Sequence, residues 1–382
     1  MSAFALSEDH HAISGMARSF AQTRLEPRAL EWDENRHFPI EVLREAAALG
    51  MAAIYIGEAH GGSGLTRFDA ALIFEALAQG CPTIAAYISI HNMCAWMVDA
   101  FGSDKQRHKF LPGLVKMDKL ACYCLTEPGS GSDAAALSTR ARRDGDHYVL
   151  NGQKQFISGA GNPHDFYIAM VRTGEPGPNG ISALIVEGGT PGLSFGANER
   201  KMGWNAQPTR AVIFEDCRVP VANRLGEEGS GFRIAMAGLD GGRINIGACS
   251  IGGAQAALDK ALAYMKQRKA FGKRLDEFQA LQFRLADMAT ELEAARTLLW
   301  RAAAALDAKT PDATQLCAMA KRFATDTGFN VANQALQLLG GYGYLAEYGI
   351  EKIVRDLRVH QILEGTNEVM RLIVARNLVG RA

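Results

Sequence analysis

Glu364 follows Ile362 and Leu363 and precedes Gly365. Two apolar neighbours and a glycine favour loss of water around the carboxylate, which raises a carboxyl pKa and makes a stronger base. The same residues also fit an exposed carboxylate ahead of a helix that Thr366 caps and Asn367 and Glu368 begin. A second candidate is the run Tyr123-Cys124-Leu125-Thr126-Glu127-Pro128-Gly129-Ser130-Gly131-Ser132-Asp133. Its Pro and two Gly force a non-repeating backbone, and its hydroxyls stand beside free N–H groups, a combination that lets a loop approach a planar or phosphorylated ligand. Alone, the run reads more readily as an ordinary loop leaving a strand. Phe156-Ile157-Ser158 offers an aromatic to pack on a ring system and a hydroxyl to bond its edge, a pattern that half-buried strands share. Arg268-Lys269-Ala270-Phe271-Gly272 with Phe278-Gln279 is a cationic turn beside aromatics, or a solvated helix end. Gln337-Leu338-Leu339-Gly340-Gly341 ends a helix where two glycines expose backbone, or is a plain glycine cap.

These residues need elements to hold them, and the chain changes texture twice. From 1 to 117 it is Ala-rich with helical spacing, as in Val42, Ala46 and Leu49, so an all-α domain is expected. From 118 to 231 short apolar runs (Phe166 to Val171, Ile181 to Val186, Ala211 to Phe214) alternate with Gly/Pro clusters, which predicts an antiparallel β domain. Within it, Tyr148-Val149-Leu150, Asn151-Gly152 and Gln155-Phe156-Ile157 read as a hairpin turning at Asn151-Gly152. From 232 to 382 long helical patterns return. Leu281, Leu285, Met288, Leu292, Ala295 and Leu299 share one helix face, and Pro311-Asp312 separates that helix from the next. A four-helix bundle is expected there. The fold class is therefore α+β, in the order α, β, α-bundle.

Composition narrows the function. The chain has 382 residues, with 41 Lys+Arg against 41 Asp+Glu, so it lacks the charge footprint of a nucleic-acid binder and no nucleic-acid partner is expected. Ala76 to Val98 is uncharged and long enough to span a bilayer, but Gly80, Pro82, His91 and Asn92 interrupt it, so a buried helical hairpin joined near Cys81-Pro82-Thr83 is expected and no membrane span. Seven Cys form no CxxC pair, an odd number that reads as reduced, buried thiols in a reducing compartment. The opening residues carry neither export nor transit character, which predicts the cytoplasm. No GxGxxG follows a strand, and Walker A, HExxH and GxSxG runs are missing. The nine His lie at no metal-ligand spacing, so no metal is expected, and His91 and His360 read as satisfied polar groups.

Taken in order, YCLTEPGSGSDAA from Tyr123, FIS at Phe156, RKAFGKRLDEFQ from Arg268, QLLGGYGYLAEY from Gln337 and EGTNEVMRLIVAR from Glu364 resemble the acyl-CoA dehydrogenase family of flavoproteins over essentially the whole chain. The resemblance implies an FAD isoalloxazine clamped between the β domain and the C-terminal bundle. It implies Tyr123, Leu125, Thr126, Gly131 and Ser132 beside the flavin, Phe156, Ile157 and Ser158 against its ring, and Thr366, Asn367 and Glu368 near the pyrophosphate. Arg268, Phe271, Phe278, Gln279, Gln337, Leu338, Leu339, Gly340 and Gly341 match positions that reach an FAD across a subunit boundary, which implies a dimer or a dimer of dimers, that is, a homotetramer. For the acyl-CoA substrate the matching positions are Ser132, Asp240, Gly241, Gly242, Arg243 and Arg376, and an arginine suits an anionic CoA because its planar fork pairs with phosphate.

Glu364 matches the family's catalytic base, which removes the α-proton of the thioester while the β-hydride leaves for the flavin. Electron-transferring flavoprotein is the partner so implied. In the isovaleryl and long-chain branches the base stands at the position of Gly242, and glycine cannot serve as one. Strings such as YISIHNMCAWM from Tyr87 and GLDGGRINI from Gly238 are most similar to the isobutyryl branch, which implies 2-methylpropanoyl-CoA going to methacrylyl-CoA. Short-chain and 2-methyl-branched substrates are the alternatives within the family, and a catalytically silent flavin-binding scaffold is the alternative outside enzymes.

Overall fold

A computed structural model describes residues 5–380. The first four and last two residues, with the limits of the outer expected domains and part of the stretch read for a targeting signal, lie outside that range. The N-terminal region is helical, with α1 (Glu8–Phe20), α2 (Ala29–Asn35), α3 (Ile40–Ala48), α4 (Arg67–Gly80), α5 (Pro82–Phe101) and α6 (Asp104–Val115). Three of these start on reciprocal caps. Ser7 accepts from the His10 N–H, Thr66 from that of Asp69 and Ser103 from that of Gln106, and each third residue's side chain accepts in return. Gly80 ends α4, and Pro82 stands where the missing N–H costs nothing at the start of α5, so the pair forms the expected buried hairpin. Among the described residues no helix is long and apolar enough to cross a membrane. His91 on α5 bonds the Leu114 carbonyl at 2.9 Å and meets the Ala121 N–H at 3.2 Å, and burial pushes it down to about 4. It is a neutral, satisfied polar group, as expected, whereas the equally buried His360 meets Ser250 Oγ at 2.6 Å and leaves its Nε2 without a partner among the described residues.

The middle region forms one sheet from β1 (Ala121–Cys124), β2 (Arg140–Asp144), β3 (His147–Ser158), β4 (Phe166–Arg172), β5 (Ile181–Glu187), β6 (Leu193–Phe195), β7 (Thr209–Pro220) and β8 (Arg224–Leu225). The order is β6-β7-β3-β2-β4-β5-β8, with β1 also on β4. The pairings are antiparallel except β1 with β4 and the single Arg140–Arg172 contact of β2 with β4, which are parallel. The hairpin expected at Asn151-Gly152 is not there. The two-residue turn is Gly145-Asp146, because Asp144 faces His147, and β3 runs straight through Asn151. Gly152, at φ +144°, serves instead at a register shift against β7, where an added Cβ would stand 2.7 Å from Thr139 Cα. A second shift between Lys154 and Ile157 accompanies Phe156 at φ +60°, and that ring is 64% exposed.

The C-terminal region holds three long helices, α7 (Gly231–Gln267), α8 (Gln279–Asp307) and α9 (Ala313–Leu338), and two shorter ones, α10 (Ile350–Arg358) and α11 (Asn367–Val379). Met288, Leu292, Ala295 and Leu299 are buried along one face of α8, with Leu281 and Leu285 packed at its edge. One apolar core joins this bundle to α1, α3, α4 and part of α5. A second core, with Met93, Met97, Phe110, Ile168, Ile185 and Leu239, ties α5 and α6 to the sheet and the start of α7. α7 is therefore the shared wall of all three regions. All seven cysteines are free and buried.

Candidate active site

α7 presents Gly238, Gly241, Gly242, Asn245 and Cys249 along one face, the spacing of a helical stripe. The missing side chains leave room for groups from other elements. An ideal Cβ on Gly238 would overlap Met97 of α5. On Gly241 it would stand 2.8 Å from Arg67 Cζ, and on Gly242 2.8 Å from Glu364 Cδ, overlapping its Oε2. Glu364 sits between the turn Val359–Gln361 and α11, at φ +54°, a sparsely populated conformation for a residue with a side chain. The residue as a whole is partly exposed, yet Oε2 is closed off from solvent and has no hydrogen-bond partner among the described residues. Burial pushes the carboxyl up to about 7 while Lys321 and Arg243 pull it down, so the net effect belongs to lost hydration. A carboxyl in this state exchanges its proton near neutrality, and its closed-off Oε2 is not the exposed carboxylate of the capping alternative. Thr366 does cap α11, accepting from the Val369 N–H.

Arg243 donates to Asp240 Oδ1 at 2.7 Å and, at 3.4 Å, to the main-chain oxygen of Glu364, while Thr314 holds the other Asp240 oxygen at 2.7 Å. The Arg67 guanidinium lies 3.5 Å from the ring centre of Tyr55 and 4.8 Å from that of Trp96. Tyr55 OH accepts from Asn245 at 3.3 Å. Arg67 Nη1, Asn245 Oδ1 and Tyr123 OH, like Glu364 Oε2, are buried without a partner among the described residues. Buried polar atoms in this state are costly unless something else bonds them.

The loop after β1 is held from beneath. Lys154, fully buried, donates to Glu127 Oε1 at 2.7 Å and to the Leu125 carbonyl at 3.1 Å, and Glu127 also accepts from the main chain of Ser138 and Thr139. Burial raises the Glu127 carboxyl, but Lys154 and the other donors outweigh that and hold it at about 2, so the pair is ionised. The Gln155 N–H donates to the Thr126 carbonyl at 2.8 Å. These bonds tie Leu125 and Thr126 to the strand that carries Phe156, Ile157 and Ser158. Gly131 and Ser132 are exposed at the loop's tip. Trp204, at φ +56°, has a buried Nε1 with no partner among the described residues, its main-chain N–H donating to Asp356 at 2.7 Å.

A second group gathers elsewhere. Arg268, Gln337, Leu338, Leu339, Gly340 and Gly341 line one groove with Tyr264 and Tyr342, next to Phe278, Gln279 and the 95% exposed Phe271. Along α7, Gly242 and Arg268 are separated by roughly 40 Å at about 1.5 Å per residue. One chain therefore does not bring its two sets of candidate residues to a single small molecule. Asp240, Gly241, Gly242 and Arg243 lie with Glu364, whereas Arg376 is exposed in the last turn of α11 and makes no ion pair among the described residues. Asn367 is buried and Glu368 exposed in the first turn of that helix. Among the described residues no group of three His, Cys, Asp or Glu could hold a metal ion.

Tyr55, Arg67, Asn245, Trp204 and Lys321 were not legible as site residues. Lys321 alone carried a trace in the sequence, a cation on the apolar stripe formed by Cys317, Ala318 and Ala324.

Three family profiles match, described as the acyl-CoA dehydrogenase N-terminal domain over residues 7–118, middle domain over 122–217 and C-terminal domain over 229–379. A mitochondrial isobutyryl-CoA dehydrogenase of Dictyostelium discoideum is 59% identical over 374 residues, which cover 98% of this chain and 90% of that protein. Among solved structures, butyryl-CoA dehydrogenase from Megasphaera elsdenii superposes with a TM-score of 0.95 at 40% identity, covering 98% of this chain and 99% of that one. A chain from work on the electron transferring flavoprotein of Acidaminococcus fermentans gives 0.96 at 40% identity, with 99% of each covered.

Proposed function

The chain belongs to the acyl-CoA dehydrogenase family, and from that premise we propose that it oxidises isobutyryl-CoA to methacrylyl-CoA with FAD and passes the electrons to an electron-transferring flavoprotein. The observation that carries the reading is Glu364: a closed-off carboxylate oxygen with no partner among the described residues, seated over a glycine of α7. The residues present suit a flavin. Phe156 offers an exposed ring at the register shift of β3 against β7, the Leu125–Thr126 backbone is fixed beside it, and Trp204 Nε1 lacks an acceptor among the described residues. When bound, FAD supplies the acceptor for the hydride that leaves the β-carbon.

The chain's own work is positional and protonic. Glu364 Oε2 takes the α-proton, so the α C–H pair becomes the new double bond as the β C–H pair departs, and two hydrogens leave the thioester. Its raised pKa matters here because a carboxylate of ordinary basicity is a weaker match for a carbon acid. Holding the α-carbon against the carboxylate turns an encounter into an oriented step. The fit of Arg243 to CoA is less direct, since Asp240 already occupies part of its fork.

The wide separation along α7 supports a homotetramer, or at least a dimer, in which the groove at Arg268 and Gln337 completes a neighbour's FAD site. Seven free, buried thiols support a reducing compartment, for which we propose the cytoplasm, while the Dictyostelium relative is named as mitochondrial. Anaerobic titration with isobutyryl-, butyryl-, 2-methylbutyryl- and isovaleryl-CoA tests the substrate. Isobutyryl-CoA should bleach the flavin fastest, and a yellow protein that none of them bleaches would leave the scaffold reading standing.

A further inference from the structure

We propose that Lys321 is a positioning residue of this active site: its ammonium clamps the turn that carries Glu364 and fixes how the base presents its carboxylate above Gly242. The inference rests on Glu364 being the base. Lys321 is fully buried on α9. Its acceptors are the Gly365 carbonyl at 2.8 Å and Asn367 Oδ1 at 3.0 Å, one immediately after Glu364 and one at the start of α11. Asn367 in turn donates to Asp326 Oδ1 at 2.7 Å and to Thr325 Oγ1 at 2.9 Å, and Gln361, ahead of Glu364, donates to the same Asp326 oxygen at 2.8 Å. Both sides of the base are thus stapled to one stretch of α9. A left-handed backbone at a residue with a side chain persists only when its surroundings over-determine it, and these bonds supply that constraint.

Charge gives the clamp a second role. The groups that face Glu364 are Tyr55 from the loop after α3, Cys94 from α5, Tyr123 from β1, Arg243 and Cys249 from α7, and Lys321 from α9. Of the two cations, Arg243 is engaged by Asp240, whereas Lys321 forms no ion pair among the described residues. A buried cation with no counter-charge in direct contact is costly, and Lys321 faces Glu364, Asp326 and Glu368 as opposite charges and Arg243 as a like one. Burial pushes its ammonium down to about 8, with Glu364 foremost among the groups holding it up.

The test uses FAD-loaded Lys321→Met, Lys321→Gln and Lys321→Arg, with isobutyryl-CoA as substrate. In Lys321→Met the rate of flavin reduction should fall by about 100-fold, as expected for a displaced reacting group, with KM changed less than about threefold. The acid limb of kcat/KM should move to higher pH, and so should the Glu364 carboxyl band titrated by infrared difference against Glu364→Gln. Lys321→Arg should recover most of the rate. Wild-type rate and limb in Lys321→Met overturn the proposal. If that variant does not fold, a wild-type limb and band in Lys321→Gln overturn it equally. Full activity of Glu364→Gln would instead sink the base assignment, whatever Lys321 does.

Discussion

Glu364 and Gly242 are complementary in space: the carboxylate of the one fills the volume that a side chain on the other would need, with Glu364 Cδ 2.8 Å from the place of a Gly242 Cβ. Gly242→Ala should therefore push the base aside. Alanine is the better helix former, so α7 itself should be stabilised by up to about 1 kcal/mol, and the variant should fold with FAD bound. Flavin reduction by isobutyryl-CoA should slow by about 100-fold. Stopped-flow reduction with normal flavin content is the measurement, and an unchanged rate would show that the carboxylate does not work from that position.

The pH dependence follows from the lost hydration of Glu364. Proton abstraction needs the ionised form, so kcat/KM should rise with pH through an apparent value near 7. Stability runs the other way. The folded protein keeps this proton up to about 7, whereas the unfolded chain releases it near 4.5. The contribution to folding is full below 4.5 and is lost as pH climbs through 7. Glu364→Gln cannot titrate, so its stability should be flatter between pH 4.5 and 7, which denaturant melts at several pH values would register. Its flavin reduction should drop by about 10²–10⁴-fold.

Lys154→Met should unseat the loop beneath Leu125 and Thr126. Removing one partner leaves the Glu127 charge buried and unanswered, a loss of about 3–5 kcal/mol for such pairs. The expected outcome is a lower melting temperature and faster release of FAD on dilution. A variant that retains FAD as tightly as the parent would show that this pair does not support the flavin side.

Arg268→Ala and Gln337→Ala should loosen FAD and the oligomer together, although neither residue comes near Glu364 in its own chain. Light scattering and flavin content measured on the same samples would report both. A stable monomer with tightly held FAD would contradict a site shared between subunits.

What could be read before the structure was whatever the chain keeps contiguous. Glu364, Gly365 and the Thr366 cap are neighbours in sequence, as are Leu125 and Thr126 or Gly340 and Gly341, so their chemistry shows in a string of letters. The three-part order was legible for the same reason, since a change of period needs only a local window. Arg67, Tyr55, Asn245 and Lys321 were not, because they converge on Glu364 only after α4, the loop before it, α7 and α9 have packed. Each alone looks like any helical or loop residue. The Asn151-Gly152 misreading has a different origin. The pair that permits a reversal also permits a bulge, and the neighbour packed against it, Thr139, lies just ahead of β2.

The seven interior cysteines make the chain its own reporter of breathing motions. Cys81 joins α4 to α5 and Cys94 lies within α5, Cys122, Cys124 and Cys217 are in the sheet, and Cys249 and Cys317 in the bundle. A thiol reagent can reach none of them until its surroundings open. Mass-resolved labelling over time would thus rank the three regions by how readily each comes apart, without a single engineered probe.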